Sequence, residues 1–169
     1  VANSRGNNIS ILLGYGNGNF SKLVNYSTGL YSAPKFIAVG DFNDDKQVDI
    51  VVANSNTSNI LIFLGNGNGS FTILQSYSTG QSSEPSAVAI ADLNKDNQLD
   101  IVVTNSGTDN LLVFLGLGNG TFSNSRLYSL HYESHPASVA IGDFNNDTWL
   151  DIVVANYGSG YADVLLQTC

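Results

Sequence analysis

Asp92-Leu93-Asn94-Lys95-Asp96-Asn97-Gln98-Leu99-Asp100 sets oxygen-bearing side chains at the first, third, fifth and ninth positions of a short loop. A hard divalent cation takes about six to eight oxygen ligands, and alternate side chains of a tight loop can supply several of them. The pattern occurs twice more, as Asp41, Asn43, Asp45 and Asp49 and as Asp143, Asn145, Asp147 and Asp151, each copy beginning 51 residues after the one before. The loop is therefore part of a longer repeating unit, and the chain is a tandem array.

The same 51-residue spacing carries Pro34, Pro85 and Pro136, Tyr26, Tyr77 and Tyr128, and Phe20, Phe71 and Phe122, with no insertion. Units fall at about 1–32, 33–83, 84–134 and 135–169 of a single array spanning 1–169. Each full unit holds four strand-like runs. In the central one, Ser86 to Ala91 alternates small with larger apolar residues and suits a crowded inner place. Asp100 to Asn105 is nearly continuous in β-branched residues, as expected of a strand covered on both faces. Asn110 to Leu115 leads to the turn Gly118-Asn119-Gly120, where Asn-Gly tolerates positive φ. Phe122 to Tyr128 is more polar and fits an outer edge. Runs this short, β-branched and bounded by Gly and Asn are strands rather than buried helices. The expected fold is all-β, with blades of four antiparallel strands. Fourteen strands make about three and a half blades, short of the about four to eight of a closed propeller.

A formal charge of −8 with only six Lys and Arg argues against nucleic acid as a partner. Nine of the fourteen acidic residues are the three aspartates of each loop, so three bound Ca²⁺ ions would bring the charge to about −2. The single cysteine, Cys169, permits no internal disulfide. No apolar run is long enough to cross a bilayer, so no membrane insertion is expected.

Period alone also fits a kelch blade. The internal motif separates the two. Val39-Gly40-Asp41-Phe42-Asn43 and Ile141-Gly142-Asp143-Phe144-Asn145, each followed by Asp-Ile-Val-Val-Ala-Asn, resemble the FG-GAP repeats of integrin α-subunit heads and the related VCBS repeats of secreted proteins. The resemblance implies a β-propeller with Ca²⁺ held between the first two strands of a blade. Carried over by position, the ligands would be Asp41, Asn43, Asp45, the carbonyl of Gln47 and Asp49 in the first loop. In the second they would be Asp92, Asn94, Asp96, the carbonyl of Gln98 and Asp100, and in the third Asp143, Asn145, Asp147, the carbonyl of Trp149 and Asp151. Up to three Ca²⁺ ions are implied. This chain departs from the family at the sixth loop position, usually glycine, which is Lys46, Asn97 and Thr148. Positive φ costs a β-branched residue most, so the third loop is expected to be the weakest.

Other features are weaker. His131 and His135 occur in one unit only and favour a solvated loop over a transition-metal site. Sequons begin at Asn8, Asn19, Asn25, Asn56, Asn68, Asn119 and Asn146, as a chain rich in Asn, Ser and Thr produces by composition. The repeated tyrosines suit packing better than sugar stacking. No nucleophile, base and orienting group recur together, so no enzymatic activity is expected of the chain. The expected function is a calcium-stabilised scaffold or protein-interaction module of a secreted or cell-surface protein. The alternatives are a lectin-like glycan binder or an accessory domain of a larger extracellular enzyme. Pairing of two copies to complete a propeller is a further expectation, because an open array leaves apolar faces bare.

Overall fold

A computed structural model describes residues 1–167. Cys169, and any bond it makes, lies outside the described residues. Among the described residues fourteen strands form four antiparallel sheets. The first sheet contains β1 (Ala2–Asn3), β2 (Asn8–Ile11) and β3 (Val24–Ser27), with a single 3₁₀ turn at Ser4–Gly6. Two complete four-stranded sheets follow. One is β4 (Pro34–Gly40), β5 (Asp49–Asn54), β6 (Asn59–Gly65) and β7 (Phe71–Ser78). The other is β8 (Pro85–Ala91), β9 (Asp100–Asn105), β10 (Asn110–Phe114) and β11 (Arg126–Ser129). The last sheet has β12 (Pro136–Gly142), β13 (Asp151–Asn156) and β14 (Ala162–Leu165). The three and a half blades' worth of strands is thus shared among two full sheets and two of three strands. The all-β, propeller-type expectation holds.

Burial follows the composition of the strands. All six residues of β5 and of β9 are buried, whereas β7 faces solvent along nearly its whole length. Alternate residues of the buried strands face opposite neighbours. Ile50 and Val52 pack with Ile9, Leu61 and Phe63 toward the first sheet, and Val51 and Ala53 pack with Val88, Ile101 and Val103 toward the third. Val102 turns the other way, to Ile152 and Val154 of the last sheet. The core is therefore three successive layers, one in each gap between sheets.

The first strands β4, β8 and β12 lie side by side, crowded as their small residues suggested. Gly40 shows how tightly, since a Cβ there would come within 2.6 Å of Leu99 and 2.8 Å of Ile90 in the next sheet. Each of these strands shifts register after its proline, which has no N–H to give the ladder.

The outer strands differ from expectation in length. In place of a strand from Phe122, the ladder holds only Arg126–Ser129, with Phe122 in an isolated bridge to Gly116. The cause is local. Leu115 N–H donates to the Ser123 hydroxyl, as Leu13 N–H does to Ser21, so a side chain replaces the ladder carbonyl. Thr72 stands at the matching place of β7, and there Leu64 pairs with it in a ladder that, past a register shift between Ile62 and Phe63, runs on to Gly65 and Phe71.

Candidate metal loops

The antiparallel topology places the three Asp-rich loops at one end of the sheets, between β4 and β5, β8 and β9, and β12 and β13. In the first loop Asp45 N–H donates to Asp41 Oδ1 at 3.2 Å and Asn43 Oδ1 at 3.3 Å, Lys46 N–H to Asp41 Oδ2 at 2.7 Å, and Gln47 N–H to Asp45 Oδ1 at 2.7 Å. The second loop repeats every one of these bonds through Asp92, Asn94 and Asp96, and the third through Asp143, Asn145 and Asp147. Successive N–H groups turned inward make a concavity that seats a carboxylate.

That turn requires left-handed residues. Lys46, Asn97 and Thr148 have φ of 64°, 65° and 73°, so the sixth position keeps its conformation without glycine. The fourth position, which the sequence did not flag, is left-handed as well at Asp44, Lys95 and Asn146. Asn and Asp tolerate this best and Thr worst.

The ninth position anchors the loop. Asp49, Asp100 and Asp151 are fully buried. Asp49 accepts from Phe42 N–H and Gly65 N–H, both at 2.8 Å, and Asp100 likewise from Leu93 and Gly116. Asp151 accepts from Phe144 N–H and Gln167 N–H. Each carboxylate thus ties the loop to the end of the third strand. Burial pushes the Asp49 and Asp100 carboxyls above their ordinary range. The two backbone bonds pull down, while the charges of Asp45 and Asp41, or of Asp96 and Asp92, push up further.

Among the described residues no three His, Cys, Asp or Glu side chains meet closely enough to form a metal cluster by themselves. Each loop instead combines three carboxylates with an Asn carboxamide. The seventh side chain is turned away, with Gln47 lying against Gly67 and Gln98 against Gly118. Among the described residues no Lys or Arg pairs with any of the nine loop aspartates, and the two ion pairs present both involve histidine elsewhere. Lys95 reaches the third loop only through the Thr148 hydroxyl at 3.1 Å and the face of Trp149. An oxygen-only donor set with mutually repelling carboxylates and no basic partner fits Ca²⁺.

His131 and His135 do not form a shared site. His131 Nδ1 lies 2.9 Å from Asp163 Oδ1, and His135 Nδ1 donates to the Ser106 carbonyl at 3.0 Å. At this opposite end Asp109 accepts from Glu133 N–H, His135 N–H and the Ser134 hydroxyl, capping the entry to β12. Burial raises its carboxyl, but these bonds and His135 outweigh that and hold it below the ordinary range. Asn7 does the same work for Ala33 with one bond. Tyr26 and Tyr77 pack edge-on against Phe71 and Phe122 and accept those residues' N–H at 3.2 and 2.9 Å, which latches each sheet to the next.

A family described as FG-GAP-like repeat matches residues 1–52, 41–103 and 92–154. The chain is 31% identical over 131 residues to cartilage acidic protein 1 of Xenopus tropicalis, an alignment covering 75% of this chain and 20% of that protein. A solved streptogramin B lyase superposes with a TM-score of 0.60 at 19% identity, over 95% of this chain and 48% of that one. A catalytically inactive virginiamycin B lyase from Staphylococcus aureus with quinupristin gives 0.59 at 16%, over 95% and 49%. The chain thus spans about a fifth of the curated relative and about half of these solved chains.

These structures correct the expectation that the chain is not an enzyme. Proteins titled lyases share this fold, so a propeller of this kind is no ground for excluding catalysis. A reacting group is needed only once and one sheet can carry it alone, so catalytic groups need not recur from unit to unit. At these identities the likeness shows the fold and no reaction.

Proposed function

The chain belongs to the FG-GAP-like repeat family, and on that premise we propose that its three loops bind Ca²⁺ and that it serves as a scaffold or protein-interaction module. The observation that carries this is the same oxygen donor set built three times around a buried aspartate, with no basic partner among the described residues. Asp41, Asn43, Asp45 and Asp49, with their counterparts and the carbonyls of Gln47, Gln98 and Trp149, would hold the ions. A bound Ca²⁺ neutralises the mutual repulsion of the carboxylates, while the chain's own N–H groups orient them. The role is stabilising, since binding only to the folded form adds to stability.

A secreted or cell-surface setting is supported by the relative named for cartilage. Among the described residues no helix is long and apolar enough to cross a membrane. Exposed Leu12, Leu13 and Phe20 near the first sheet and Val164 in the last support pairing between copies. A monomer in light scattering at micromolar concentration would remove the pairing. For the loops, calorimetric titration of metal-stripped protein should show up to three Ca²⁺ sites that Mg²⁺ fills far less well. The absence of any Ca²⁺-dependent heat, together with a melting temperature unmoved between Ca²⁺ and chelator, would refute calcium binding.

A further inference from the structure

We infer that cation occupancy of one loop is linked to docking of the following sheet, through the residue at the second loop position. The inference rests on the calcium reading and adds to it a route between sites.

Phe42 sits between two sheets. Its N–H donates to Asp49 Oδ2 at 2.8 Å within its own loop, and its carbonyl accepts from Gly120 N–H at 2.8 Å in the next sheet's turn. Its ring is 3% exposed and meets Phe122 of that sheet edge-on, with centroids 5.5 Å apart. Leu93 repeats the arrangement. Its N–H donates to Asp100 Oδ2 at 2.8 Å, its carbonyl accepts from Gln167 Nε2 at 3.2 Å, and its side chain is 6% exposed in the layer containing Ile152. Phe144 has the inner bond to Asp151, but no following sheet packs on it among the described residues, and it is 53% exposed.

One residue therefore receives its position from two sources. The ninth-position carboxylate, itself in the proposed donor set, fixes its N–H. The neighbouring sheet fixes its carbonyl and side chain. Ordering the loop around an ion presents the second residue in the conformation that the next sheet requires, and a docked sheet holds the loop in the conformation that the ion requires. Linkage makes the two effects equal in size. The second and third loops touch directly as well, because Lys95 reaches Thr148 and Trp149.

The test compares the same side chain at two places. Ca²⁺ titration calorimetry of the whole chain should show Phe42→Ala weakening one site by about tenfold, within the range usual for coupled sites. Phe144→Ala should leave all sites within about twofold. Amide exchange on the unmodified chain supplies a readout that does not depend on the variant folding. Protection of the Gly120 amide should rise with Ca²⁺, and the rise should disappear in Asp41→Ala. Equal effects of Phe42→Ala and Phe144→Ala, or a Gly120 amide indifferent to Ca²⁺ in a chain that binds it, would overturn the link while leaving calcium binding intact. No Ca²⁺ heat in the unmodified chain would overturn both.

Discussion

Asp100→Asn isolates what the buried ninth aspartate does without metal. The carboxylate accepts one N–H on each oxygen, Leu93 on Oδ2 and Gly116 on Oδ1. A carboxamide keeps one acceptor and turns an NH₂ group toward the other N–H. The loss of a bond to a charged acceptor is worth about 1.5–3 kcal/mol, and a buried donor left unsatisfied costs about 1–3 kcal/mol. Relief of burial and of repulsion from Asp96 and Asp92, which hold the carboxyl above its ordinary range, offsets part of this. A net loss of about 3 kcal/mol is expected from these terms. For a chain of this length that is a fall in melting temperature of about 6–12 °C. Asp96→Asn, at an exposed position, should cost less than about 1 kcal/mol in the same buffer. The assay is thermal unfolding by circular dichroism in chelator, repeated in excess Ca²⁺, where both variants should gain less than the parent chain. A variant at Asp100 that melts with the parent in chelator would show that the aspartate is a ligand only and does not organise the loop.

Asp96→Ala should lose more Ca²⁺ affinity than Asp147→Ala, because Asn97 tolerates its φ of 65° and Thr148 is strained at 73°, so the third site starts weaker. Equal losses in titration would show that the sixth position does not set affinity. Asp109 titrates below its ordinary range, so its stabilisation is complete above about pH 4 and is lost as pH falls through the lowered value. Asp109→Asn should flatten that part of the acid melting curve, and an unchanged curve would remove Asp109 as its source. Tyr77→Phe strips the acceptor from Phe122 N–H and should cost about 1 kcal/mol in urea unfolding. No loss there would make the tyrosine a packing residue alone.

Repetition made much of this fold legible. The second strand of each of the three later units begins at the aspartate and ends at the asparagine named from the sequence, since β-branched runs flanked by polar caps leave little choice of boundary. The loop residues stand out in the sequence because side-chain type and spacing are both local. What the sequence did not show depends on contacts made across space. Left-handed Lys95 carries no signal that separates it from any exposed lysine. The bond from Phe122 N–H to Tyr77 spans 45 residues and follows from how the sheets stack. Ser123 shortens β11 by competing for one backbone amide, a choice between serine and threonine that no hydrophobic pattern records. Catalysis leaves no such trace in a repeat, because chemistry is a property of single sites.

Layering the core in the gaps between sheets has a kinetic consequence. Because most of the pairing joins strands adjacent in sequence, each sheet closes only short loops as it forms, and the array behaves as a nearly one-dimensional chain of nearest-neighbour interactions. The wholly buried β5 and β9 have a neighbouring sheet on both sides, whereas β1 and β14 have no buried residue between them. Opening should therefore start at the first and last sheets and travel inward, and amide exchange should slow progressively toward the middle of the sequence.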